Sequence, residues 1–206
     1  MNEMKVLFFL AVCGHLLCGI SDCLITYVPG GKFQFSDIRD SKKMKETFSR
    51  MPESCPIQSV LLGVLALLLI SFGGYGVFLW MKQYSLFHAA VILISLAVFL
   101  IPGTAHHVIC GTAEWFYLKM GRTEEALKII IQYFTRTAAT MAVCYIGLIV
   151  FCITLFHAVA AGMTSMPAWS CVFNALPVGL ILTLLHIGGG GNWACALMYL
   201  SLLIFS

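Results

Sequence analysis

Asp22, His15, His106, His107 and Arg136 carry chemistry that a lipid-facing surface does not tolerate, and each lies in or beside a long apolar run. An ionisable side chain at such depth turns toward other helices or a polar cavity. His15, Cys18 and Asp22 follow at offsets of three and seven, which return to one helix face. His106 and His107 come just after Pro102 and Gly103. Adjacent helical residues project about 100° apart, so only one of the two readily faces a given centre. Together the five residues form a candidate polar centre for a small or lipidic ligand.

Two other chemistries compete. Asp22, His15 and His107 are donor types that hold zinc with a position left open for water, as an intramembrane hydrolase of the ceramidase and adiponectin-receptor type would require. No H-x-x-x-H or H-E-x-x-H pair accompanies them, and the last apolar segment has no histidine. No catalytic residue, metal or cofactor is therefore assigned. The plainer reading is structural: Asp22 forms a salt bridge to Arg136 or a hydrogen bond to a neighbouring helix, and one histidine bonds carbonyls freed by Pro102.

The elements that would position these residues are apolar helices. Of 206 residues, 60% are hydrophobic and 10% charged, against about 25% charged in a soluble domain. The pattern predicts an all-α membrane bundle in one transmembrane domain over 1–206. Its six helices fall at 6–28, 57–81, 86–118, 134–161, 169–187 and 192–206, with a polar loop at 29–56. The third is broken or kinked at Pro102 and Gly103. The first reads as a retained helix, because its run exceeds a signal core and no small-x-small cleavage pattern follows. At about 1.5 Å of rise per residue, Asp22 lies about 9 Å inside one end, His107 about 15 Å, His15 about 20 Å and Arg136 up to about 9 Å. Glu114 reads as interfacial. Asn192, after four glycines, reads as the cap of the last helix.

Charge sets the expected orientation. The 29–56 loop holds Lys32, Arg39, Lys42, Lys43, Lys45 and Arg50, and Lys119, Arg122 and Lys128 fall at the same end. The opposite end has Lys5 and Lys82. The positive-inside rule makes the loop cytoplasmic and both termini external, in a cell membrane. Phe33, Phe35, Ile38, Met44 and Phe48 would give a surface helix in the loop a membrane-facing side, although a solvated loop on anionic headgroups is the simpler expectation. The partner is the lipid bilayer. A net charge of +3 concentrated in one loop argues against nucleic acid. The nine cysteines lie mostly in apolar runs, where a thiol acts as a small hydrophobe. No internal repeat is visible, so a transporter would need a homodimer to supply its second half.

Further motifs span the chain. Gly162 to Pro167 with Trp169, then Phe173, Asn174 and Pro177, then Gly191 to Ala194, accompany Gly19, Asp22, Leu24, Tyr27 and Pro29 to Gly31 near the start, and Gly103 with His106 in the centre. In these the chain resembles an uncharacterised family of small multi-pass prokaryotic membrane proteins. The resemblance brings no activity. It implies a six-helix bundle in which Asp22, His106, Pro167, Asn174 and Asn192 are the positions to test, with His106 the inward histidine of its pair.

Overall fold

A computed structural model describes residues 3–206. Among the described residues, four helices are long and apolar enough to cross a membrane: α1 (Glu3–Thr26), α3 (Ser54–Met81), α4 (Leu86–Lys119) and α5 (Glu124–Ala160). Continuous helix is what an apolar sequence must adopt in lipid, because each backbone donor then finds its acceptor within the segment. The eight-residue α2 (Ser41–Phe48) lies in the polar loop, and α6 (Ala175–Leu184) and α7 (Gly190–Phe205) are shorter apolar helices. Four of the six expected spans reach that length, and the last two are represented by the shorter apolar helices α6 and α7.

The departures have local causes. Pro102 sits inside α4, yet the helix runs through it unbroken. Proline leaves the carbonyl four residues earlier, on Val98, without its helical donor. Gly147 of α5 packs against that stretch, where an added Cβ would come within 2.8 Å of Ser95 O. The α5 helix begins at Glu124 rather than near Phe134, because Thr123 caps it by accepting from Ala126 N at 3.2 Å. Glu124 and Glu125 then favour the positive end of the helix dipole. The stretch expected as a fifth helix is divided. Ala168–Phe173 is a 3-10 turn, and Asn174, extended at φ −60° and ψ 147°, starts α6 afresh by accepting from Leu176 N at 3.0 Å.

Side by side, the helices run in the order α5, α4, α3, α1, α7, α6. Small residues allow the closest approach: Gly14 of α1 meets Ala66 and Ile70 of α3, and Gly73 of α3 meets Ala11. The row closes on itself at the end away from the polar loop. There Phe151, Cys152 and Leu155 of α5 pack with Met198, Tyr199 and Leu202 of α7, and Asn174 Nδ2 donates to Cys152 O at 3.0 Å. Toward the loop end, a cavity of about 470 Å³ lies between α1, α4, α5 and α7.

The polar loop covers that cavity. A small antiparallel hairpin pairs β1 (Tyr27–Val28) with β2 (Gly31–Lys32), and a 3-10 turn (Phe35–Arg39) leads into α2. Met44 and Phe48 face the bundle, with Phe48 edge-on to Tyr117 at 5.8 Å. Arg122, at φ 59°, donates from Nε to Phe48 O at 2.8 Å and from Nη2 to Met51 O at 3.1 Å. Met44 and Phe48 of the loop's apolar side therefore seal protein, while Phe35 stays exposed. Outward-facing residues include Ile94 and Ile101 of α4 and Ile146 and Ile153 of α5.

Candidate functional site

The polar centre is assembled by α1, α3, α4 and α7. Asp22 and His15 come from one face of α1, and Asn192 from the first turn of α7. The Asn192 amide joins them: Nδ2 donates to Asp22 Oδ2 at 2.8 Å, and Oδ1 lies 3.1 Å from His15 Nδ1. With that amide orientation, His15 Nδ1 is the donor. The His15 ring is 2% exposed and stacks on Tyr199 at 5.5 Å. Asn192 is not the helix cap that the glycines before it suggest. Gly189, at φ 68°, takes that position, which frees the Asn192 side chain.

His107 faces α1 and α3, on the side of Asp22. Its Nε2 lies 3.0 Å from both Ser59 O and Ser21 Oγ. The two serines brace each other: Ser21 Oγ donates to Ser59 O at 2.8 Å, and Ser59 Oγ to Ser21 O at 3.0 Å. A carbonyl only accepts, so Nε2 carries a proton. In the neutral ring Nδ1 is then a bare lone pair, and it lies 3.8 Å from Asp22 Oδ1. Gly63 of α3 makes room for this ring, since an added Cβ would overlap the imidazole.

His106 turns toward α5, with Nδ1 3.3 Å from Thr140 Oγ1 and Nε2 3.4 Å from Cys110 Sγ. It lines the same cavity from the other side. Arg136 stands apart, exposed on α5 and in none of the ion pairs of the described residues. Asp22 is therefore held by an amide from α7 and faced by an imidazole: of the two partners the plainer reading offered, the hydrogen bond to another helix is formed and the salt bridge to Arg136 is not. His88 and His157 meet each other at 3.2 Å at the opposite end of the bundle.

The cavity runs from this cluster to the polar loop. His15, Cys18, Asp22, His106, His107 and Asn192 line its head; Leu67, Phe99, Ile130, Met141 and Leu148 its walls; Phe33, Phe35, Phe48 and Tyr117 its loop end. Glu114 also lines it. That residue is 8% exposed, and its Oε2 has no hydrogen-bond partner. No Lys or Arg is among the lining residues. The Asp22 side chain is 31% exposed, which leaves one carboxylate oxygen accessible beside His107.

Of the metal-ligating side chains, Cys18, Asp22 and His107 bring their ligand atoms within 4.8 Å of one another. His15 is engaged by Asn192, so Cys18 takes the place that the sequence offered to His15. The face formed by His15, Cys18 and Asp22 was visible in the spacing of α1. The roles of Asn192, Ser21 and Ser59 were not, because each depends on a partner from a distant helix.

No curated protein and no solved structure matches this chain. A family model does, over residues 1–197, and the chain belongs to that family of unknown function, DUF6796.

Proposed function

We propose that the protein is a multi-pass membrane protein that binds an amphipathic ligand in the cavity between α1, α4, α5 and α7. The carrying observation is the cavity's polarity gradient. About 470 Å³ of space with largely apolar walls ends on Asp22, His107 and Asn192. That volume falls within the roughly 300–1,000 Å³ of small-molecule sites, which join an apolar body to a few placed polar groups. Two carboxylates line it and no Lys or Arg does. The arrangement suits a head that donates hydrogen bonds or carries positive charge, and disfavours a phosphate. The opposite half of the bundle is filled by Phe8, Phe151, Met198 and Tyr199, which favours binding over passage across the membrane.

The proposed orientation places the 29–56 loop in the cytoplasm and both termini outside. Its support is charge: Lys119 pairs with Glu53 at 2.5 Å and Arg122 holds the end of α2, which gathers the basic residues at one end.

Native mass spectrometry of detergent-purified protein tests the ligand reading. Dodecylamine and dodecanol should bind one per chain, and dodecyl phosphate should bind at least about tenfold more weakly, as a factor of ten corresponds to about 1.4 kcal/mol. Asp22→Asn should remove the preference for the amine. Equal binding of all three, unchanged in the variant, contradicts the reading.

A further inference from the structure

We propose that Cys18, Asp22 and His107 form a binding site for a single zinc ion at the head of the cavity. The site shares that space with the amphipathic ligand but stands without it.

His107 and Asp22 meet in an electrostatic mismatch. His107 Nε2 donates to the Ser59 carbonyl at 3.0 Å, which leaves Nδ1 as a lone pair in the neutral ring. Opposite it, at 3.8 Å, lies Asp22 Oδ1, which also only accepts. With the ring neutral and the carboxylate ionised, two acceptors face each other, and a cation is what both would coordinate. The thiol of Cys18 completes the triangle, with all three ligand atoms within 4.8 Å of one another. Ligands of a tetrahedral zinc, at about 2.0–2.3 Å from the metal, stand roughly 3.3–3.8 Å apart. Rotations of about 1 Å at the ligand atoms close the set.

The surroundings resemble those that metal ligands require. A ligating histidine donates its second ring N–H to a carbonyl or carboxylate, which fixes the tautomer that leaves the other nitrogen bare. Ser59 O serves His107 in this way, and Ser21 and Ser59 lock the acceptor in place. A ligating carboxylate is itself hydrogen-bonded, and Asn192 Nδ2 donates to Asp22 Oδ2 at 2.8 Å, leaving Oδ1 for the metal. His15 fixes the orientation of that amide. One sulfur, one nitrogen and one oxygen favour zinc over magnesium or calcium, which take oxygen ligands. Three protein ligands leave the fourth position open to the cavity, where a water, or a head with a free lone pair such as a hydroxyl or an unprotonated amine, would complete the tetrahedron.

The test uses the full chain in detergent, with no amphiphile beyond the detergent, and cobalt(II) as the spectroscopic stand-in for zinc. The unmutated protein should bind one cobalt per chain and show a thiolate-to-cobalt charge-transfer band. Cys18→Ser should abolish that band, and Asp22→Asn and His107→Gln should each lower affinity at least about tenfold. Cys23→Ser, on another face of α1, should leave the spectrum unchanged. Zinc-edge absorption of the unmutated protein gives an answer that no folding defect can mimic: one sulfur scatterer per zinc, the rest nitrogen or oxygen. Absence of the band, its survival in Cys18→Ser, or a zinc with no sulfur or several would overturn the proposal. Dodecylamine binding without cobalt binding would remove the metal site alone, and the reverse would remove the ligand reading alone.

Discussion

Asn192 carries the centre at the scale of single residues, because one amide satisfies both Asp22 and His15. Asn192→Ala leaves a carboxylate oxygen and a buried imidazole N–H without partners. An unsatisfied buried polar group costs about 1–3 kcal/mol, so thermal unfolding in detergent should begin at a lower temperature than for the unmutated protein. An unchanged melting temperature would mean that these bonds contribute nothing to the fold. Asn192→Asp should be worse, since it sets a second carboxylate against Asp22. The importance of Asp22 was legible in the sequence, because a lone carboxylate in an apolar helix needs a partner. Which partner was not legible. Asn192 lies 170 positions away, and the glycines before it offer a local explanation as a cap. The choice between His106 and His107 was also closed, because a rotation of about 100° is decided by the neighbouring helices.

Helix-to-helix fit decides the next scale. Gly63 exists for His107, whose ring fills the space where a side chain would lie. Alanine is intrinsically favoured over glycine in a helix by about 1 kcal/mol. Gly63→Ala should nevertheless weaken cobalt and dodecylamine binding by displacing the ring, and retention of both would place His107 outside the site. Gly147 meets the α4 backbone beside the carbonyl freed by Pro102. Gly147→Val should destabilise by about 1–3 kcal/mol, the usual cost of overpacking. Gly191→Ala meets nothing within 4 Å and should leave the melting temperature unchanged. Runs of apolar residues showed where α1, α3 and α4 lie, since hydropathy and length act within one segment. The early start of α5 was hidden by its length: a 37-residue run exceeds what one span needs, which suggests a division that the Thr123 cap and the continuous helix do not make. The division at Asn174 was hidden because its side chain caps a helix that the apolar pattern continues through.

For the whole molecule, the polar loop is the least anticipated part. Its apolar residues were legible as one side of a surface helix, but the surface they cover was not, because Tyr117, Leu127 and Ile130 come from α4 and α5. Phe48 is fully buried there. Phe48→Ala should cost about 3–5 kcal/mol, typical of a buried aromatic, and should open the loop end of the cavity. Orientation belongs to this scale too. A glycosylation acceptor inserted between Lys42 and Lys45 should stay unmodified in a microsomal assay, while one appended after Ser206 should be modified. The opposite pattern would reverse the proposed topology.

The central claim is that the space between α5 and α7 is a ligand site that ends on Asp22. An experimental density map of the protein in lipid nanodiscs tests it most directly. The account predicts a continuous, elongated density along Met141 and Leu148 whose head lies within hydrogen-bond reach of Asp22. A map in which side chains of α5 and α7 meet and close that space would contradict it.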